Sequence, residues 1–303
     1  MEGKTSIKQN SMKAWMLAAR PKTLTGAAVP VMIGVVLAFV DSKLYTYNVF
    51  SITAAILCLL FAFTMQIDAN FINDFFDCIN GNDDETRLGP RRACAQGWIS
   101  IDAMKKGIAL TTVAACIIGL PLVIFGGFEM ILVGLICVIF CFLYTTHLSY
   151  MGLGDLLVIV FFGMIPVCIS YYVQLHTVTL ECFVASIASG IVIDTLLIVN
   201  NFRDCENDKK AGKNTLVVRL GLRLSGYLYM SIGLIACIIG LTYWRYGQIW
   251  AFILPFIYLF LHLLTYNKMM KFKRGKALNI ILGQTARNIF IYGLTVVIGI
   301  LLN

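Results

Sequence analysis

The 303-residue chain has little charge: Asp, Glu, Lys and Arg make up 13% of it, where an ordinary soluble domain carries about 25%. With 59% hydrophobic residues beside so few charges, it has too little polar surface for water and reads as an integral membrane protein. It also lacks the alternating ten-residue apolar segments that a membrane β-barrel shows, which leaves helices as the spanning element. Solid apolar runs long enough to cross the hydrocarbon core, about 20 residues each, fall near 24–40, 49–72, 107–126, 128–146, 152–175, 180–201, 225–243, 249–267 and 286–302. The expected fold class is all-α, with about nine transmembrane helices in a single domain over 1–303.

Other absences narrow the chemistry. Ten cysteines contain no Cys-x-x-Cys pair, so they read as small apolar filler and not as a redox or zinc motif. The stretch Gly212 to Thr215, Gly-Lys-Asn-Thr, has neither the glycine nor the strand that a phosphate-binding P-loop needs ahead of it. The basic residues Lys4, Lys8, Lys13, Arg20 and Lys22 precede the first apolar run, but no convincing small-residue cleavage site follows, so that run reads as a retained first helix. One side of the membrane is nearly devoid of positive charge. If the N-terminus is cytoplasmic, all of the 24 Lys and Arg except Lys43 and Arg245 fall on the cytoplasmic side, as the positive-inside rule requires. The net charge of +8 is thereby accounted for by topology and anionic lipid, with the bilayer as partner and no nucleic acid.

Acids are scarce, yet they gather in two places. Asp74, Asp77, Asp83, Asp84 and Glu85 crowd the end of the second apolar run, and Asp204, Glu206 and Asp208 the end of the sixth. Both expected loops, 77–106 and 202–224, lie on the same side of the membrane. Asn70, Asn73, Asp74 and Asp77 stand at i, i+3, i+4 and i+7, and Asn201, Asp204 and Asp208 at i, i+3 and i+7, so helices running that far would gather each set on one face. Gathered carboxylates repel unless a cation joins them. Hard oxygen ligands in ones and twos suit Mg²⁺, which keeps several waters and prefers to share its shell with phosphate oxygens. Basic neighbours complete a diphosphate site: Arg87, Arg91 and Arg92 after the first cluster, Arg203, Lys209, Lys210 and Lys213 around the second.

These clusters resemble the paired aspartate-rich motifs of the UbiA-type intramembrane prenyltransferases. Asn73-x-x-x-Asp77 with Asp83 is similar to their first motif, and Asp204-x-x-x-Asp208 to their second. Four further stretches resemble the naphthoate (MenA-type) branch: AARPKTLTGAAVPV from Ala18, RLGPRRACAQGWIS from Arg87, YMGLGDLLVIVFFG from Tyr150 and NNFRDCENDKKAGKNTLVVRLG from Asn200. The residue four after Asp77 is Gly81 and the next acid is Asp83, a longer spacing that the naphthoate branch shares and many other ring-substrate relatives do not.

The resemblance implies helices around a central cavity and a specific reaction. A polyprenyl group passes from polyprenyl diphosphate to 1,4-dihydroxy-2-naphthoate with loss of carbon dioxide and diphosphate. It implies Mg²⁺ held by Asn73, Asp77, Asp83, Asp204 and Asp208, with Asn201 and the basic residues on the diphosphate, and a bacterial cell membrane as the setting. Arg20 and Lys22 are candidates for a phosphate or for the naphthoate carboxylate, and Tyr144 and His147 for the wall around the ring. Asp155 reads as a helix cap and Asp194 as an interior polar residue outside the motif. Asp102 and Glu181 are spare acids on loops. Two alternatives stand beside this reading: a family member acting on another acceptor such as 4-hydroxybenzoate, and an ion-coupled transporter, since intramembrane acids also mark ion pathways.

Overall fold

The computed structural model describes residues 7–43, 50–81, 87–144 and 151–302, and among these residues there is no strand. Helix α1 (Met12–Ala19) leads through a 3-10 turn at Pro21–Thr23 into α2 (Leu24–Ser42); α3 (Ile52–Ile79) and α4 (Ile101–Gly119) follow. Short α5 (Leu122–Gly126) extends α4, and α6 is Glu129–Leu143. Helix α7 (Gly154–Ile159) passes through a π-helical turn, Val160–Met164, into α8 (Ile165–Leu175). Then come α9 (Leu180–Lys210), α10 (Leu216–Ile239), α11 (Leu241–Arg245), α12 (Ile249–Ile253), α13 (Phe256–Phe272) and α14 (Leu278–Leu301).

Among the described residues, eight helices or consecutive helix pairs are long and apolar enough to cross a membrane. The ninth expected span is α6, whose 15 described residues reach about 22 Å at 1.5 Å per residue, short of a core of about 30 Å. Ser or Thr begins five of the helices. Ser11, Ser51, Ser100, Thr179 and Thr215 each accept a hydrogen bond from the backbone N–H three residues on, satisfying donors that would otherwise be orphaned at a helix start.

Helix α9 is the axis of the bundle, packing against α2, α7, α8, α10, α11 and α14. It comes close because both backbones are bare where they cross. A Cβ on Gly163, in the π turn, would lie 2.3 Å from the Cα of Gly190 in α9, a small-residue contact of the kind that lets helices approach in lipid. The buried Asp68 of α3 is satisfied by its neighbour helix: it accepts from the hydroxyls of Thr111 and Thr112 on α4, at 2.5 and 2.8 Å.

Several expectations shift. The two motif loops are shorter than 77–106 and 202–224: α3 runs to Ile79, α4 begins at Ile101, α9 continues to Lys210 and α10 begins at Leu216. No glycine or proline follows Gly190 in the chain before Gly212, so the charged end of α9 stays helical. Asp102 and Glu181 lie in the first turns of α4 and α9, not on loops, and Glu181 is buried. Asp155 does not cap α7; it sits inside the first turn, where Leu153 is the capping residue and makes no side-chain bond.

Candidate active site

The ends of α3 and α9 flank the mouth of a cavity of about 540 Å³. Asn73 and Asn200 line the cavity, each four residues before the carboxylate of its own motif, Asp77 or Asp204. One helical turn, about 5.4 Å, therefore separates the amides inside from the acids at the rim. The two motifs converge there: the charged neighbours of Asp208 are Lys213, Asp204, Arg203 and Asp77. Thr23, Gln66 and Tyr144 add polar atoms near the mouth, and beyond them the wall is apolar, with Phe61, Met65, Phe140 and Phe161 among its residues. Phe140 and Phe161 stack with ring centroids 4.8 Å apart. Leu120, Ile131 and Leu135 line the cavity yet are 63%, 52% and 55% exposed, so it opens sideways between α4–α5 and α6 onto the apolar outer surface.

The four polar residues at the end of α3 divide into two pairs. Asn73 lines the cavity, and Asp77 stands one turn further along the helix. Asn70 and Asp74, also four apart, anchor the surrounding chain: Asn70 donates to the Ala19 carbonyl at 2.9 Å and to the Thr23 hydroxyl at 3.0 Å, holding the α1–α2 turn. Asp74 accepts the backbone N–H groups of Ala93 and Cys94, both at 2.9 Å. That grip holds the 88–98 segment against the end of α3.

The basic residues sort in the same way. Arg92 pairs with Asp77 at 2.5 Å and is 8% exposed. Its neighbour Arg91 is exposed, and Arg87 donates to the Pro90 carbonyl at 3.0 Å. Arg203, buried, grips both oxygens of Asp204 at 2.9 and 2.6 Å and donates to Asn279 Oδ1 at 2.9 Å. Asn279 in turn donates to the Leu88 carbonyl at 2.8 Å, tying α9, α14 and the 88–98 segment together. Lys213 Nζ stands 4.0 Å from Asp208, while Lys209 and Lys22 are exposed. Arg20 sits in left-handed backbone conformation, φ 50°, with Asp74, Asp77, Arg87 and Arg92 as its charged neighbours.

Two residues, Asn200 and Asn279, escaped the sequence reading, and Arg92 was named there without being told apart from Arg91. Asn200 lines the cavity, whereas Asn201 is not among its lining residues; the signal was the four-residue interval to Asp204, which repeats that of Asn73 and Asp77. Arg92 rather than Arg91 meets the first motif, and nothing in the pair Arg91–Arg92 distinguishes them. Asn279, near the start of α14, carried no signal at all. Asp83 and His147 lie outside the described residues.

Among the described residues no three His, Cys, Asp or Glu side chains cluster tightly enough to cage a metal. One or two carboxylates from each helix end, with amide oxygens a turn behind, is instead the donor set of a water-rich hard cation that shares its shell with phosphate. Mg²⁺ fits the residues present.

A mouth of carboxylates and guanidiniums over a greasy chamber that opens into lipid defines an intramembrane enzyme for amphiphiles with a charged head. The chain belongs to the UbiA prenyltransferase family, whose model matches residues 27–300. It is 36% identical over 230 residues to the 1,4-dihydroxy-2-naphthoate octaprenyltransferase of Haemophilus influenzae, covering 73% of each chain. It is 36% identical over 220 residues to the protein of the same name from Escherichia coli, covering 69% of each. The solved structure of a UbiA homolog from Archaeoglobus fulgidus bound to DMAPP and Mg²⁺ shares the fold, with a TM-score of 0.59 over 93% of this chain and 98% of that one at 15% identity.

Proposed function

We propose that the protein transfers a polyprenyl group from polyprenyl diphosphate to 1,4-dihydroxy-2-naphthoate, releasing diphosphate and carbon dioxide and forming a demethylmenaquinol, the reduced form of a demethylmenaquinone. The observation that carries this is the convergence of Asp77, Asp204 and Asp208 at the mouth of a laterally open apolar cavity. The naphthoate acceptor is supported by the names of the Haemophilus and Escherichia relatives. Use of a prenyl diphosphate with Mg²⁺ is supported by the ligands of the Archaeoglobus homolog.

Asn73, Asp77, Asp204 and Asp208, with Asp83, would hold Mg²⁺, which supplies Lewis-acid stabilisation of the leaving diphosphate. Arg92 and Arg203 already stand against these carboxylates, and their planar forks match phosphate oxygens. Arg20, between the acids and the other arginines, and Lys213 add positive potential where charge develops on the leaving oxygen. Ionisation of the allylic carbon–oxygen bond leaves a carbocation-like centre that the faces of Phe140 and Phe161 stabilise without trapping it. The apolar wall keeps water from competing with the ring. The one-sided distribution of basic residues supports a motif end that faces the cytoplasm of a bacterial cell.

The test is direct. Purified protein in lipid is given a radiolabelled prenyl diphosphate, Mg²⁺ and a panel of aromatic acids. Prenylated naphthol is the expected product; label appearing only on 4-hydroxybenzoate would move the assignment to another acceptor.

A further inference from the structure

Two acids behind the cavity wall have no part in the metal site. Asp155 of α7 and Asp194 of α9 are 8% and 3% exposed, and each has a buried carboxylate oxygen without a hydrogen-bond partner among the described residues. Asp155 is the charged neighbour of Asp194, and both are charged neighbours of Tyr144. Tyr144 lines the cavity, and its hydroxyl reaches back to within 4.0 Å of where a side chain on Gly154, next to Asp155, would begin. A lone buried carboxylate is costly, and a second one near it raises the cost. Such acids persist where one of them holds a proton.

We propose that Tyr144, with the Asp155–Asp194 pair behind it, is the transient proton store for the aromatic acceptor. This rests on the naphthoate reading above, whose reaction moves a proton off the ring and back again. As the allylic carbon–oxygen bond breaks, a ring electron pair forms the new carbon–carbon bond at the carbon bearing the carboxylate. The adjacent ring hydroxyl becomes a carbonyl by giving its proton to Tyr144 Oη, which passes its own to the carboxyl pair. The carbon–carboxylate bond then breaks, its electron pair restores the aromatic ring, carbon dioxide leaves and the proton returns to the ring oxygen. No net proton is taken up and no oxidant is needed. Tyr144 is the catalytic residue of this relay; Asp155 and Asp194 act through it.

The experiment has two arms. Infrared difference spectra of the folded protein, wild type minus Asp194→Asn and wild type minus Asp155→Asn, are expected to show a protonated-carboxyl stretch that shifts in D₂O. They need no acceptor and so do not depend on the naphthoate assignment. Turnover with dihydroxynaphthoate is expected to fall about 100-fold, the usual scale of general acid–base catalysis, in Tyr144→Phe and Asp194→Asn. KM for the prenyl diphosphate is expected to stay unchanged, and Asp194→Glu to recover part of the rate. Absence of the band from both difference spectra overturns the proposal, as does wild-type turnover in Tyr144→Phe. A wild-type protein that shows the band but does not prenylate dihydroxynaphthoate overturns the acceptor reading instead and leaves the proton-holding pair standing.

Discussion

Asp204 and Asp208 stand four residues apart on one helix, and replacing each with Asn is expected to damage the protein in different ways. Both changes remove a charge that the proposed function assigns to the metal. On the scale of lost electrostatic stabilisation of a leaving group, each should lower turnover by about 100-fold, equivalent to about 2.7 kcal/mol. Their structural roles diverge. Asp204 neutralises Arg203, whose side chain is 3% exposed and which it meets through two oxygens. Stripping the partner from a buried charge costs about 3–5 kcal/mol. Asp204 is itself 28% exposed, and Asn keeps one acceptor for the guanidinium, so about 2 kcal/mol is the expected loss, near that of one hydrogen bond to a charged group. Asp208 is bridged among the described residues by Lys213, at 4.0 Å, and its replacement should leave stability nearly unchanged. The assay pairs radiolabelled prenyl transfer at saturating Mg²⁺ with thermal unfolding in the same lipid. Asp208→Asn should be slow but as stable as wild type, Asp204→Asn slow and less stable. The reasoning is refuted if Asp208→Asn turns over at the wild-type rate, or if the loss in Asp204→Asn merely tracks its unfolded fraction.

Three further outcomes follow from the same geometry. Chelation with excess EDTA should abolish transfer, and Mg²⁺ or Mn²⁺ but not Na⁺ should restore it; full activity in EDTA would remove the metal from the mechanism. Asn200→Ala should lower kcat/KM about tenfold, a loss of about 1.4 kcal/mol in transition-state stabilisation. Asn201→Ala and the exposed-acid control Asp102→Asn should match wild type, and equal losses in Asn200→Ala and Asn201→Ala would contradict the cavity lining. In sealed cells, on a background without native cysteines, single cysteines replacing Asn80 and Lys209 should be shielded from an impermeant thiol reagent while those replacing Lys43 and Tyr246 react. Labelling at Asn80 but not Lys209 would separate the two motifs across the membrane.

Much of this architecture is visible in residue order because lipid imposes a simple rule: a span must be apolar for about 20 residues and must satisfy its own backbone. That rule located the eight spans found among the described residues, but it ended α9 too early, at the first polar residues. Backbone hydrogen bonding does not stop where lipid stops, and the helix continues until Gly212 permits a turn at φ 71°. Helix α1 was missed for the opposite reason, since eight residues are too few to register as a span. The motif acids were legible through their spacing. Their partners were not: whether Arg91 or Arg92 reaches Asp77 depends on the path of an irregular segment held by Asp74. Asn279 lies 76 residues from the Arg203 it meets, and local spacing carries no trace of such a contact.

The side opening framed by Leu120, Ile131 and Leu135 sets the units in which this enzyme experiences its donor. A prenyl diphosphate that enters from the membrane is a two-dimensional solute, and its governing concentration is molecules per area of lipid. Adding inert phospholipid at constant total donor should therefore slow the enzyme, although nothing in the aqueous phase has changed. The product, more apolar than the donor because it has shed its diphosphate, departs by the same route and joins the quinone pool of the bilayer without crossing water. Tail length is then not bounded by the volume of the chamber, since isoprene units beyond the reacting end can remain among the lipids.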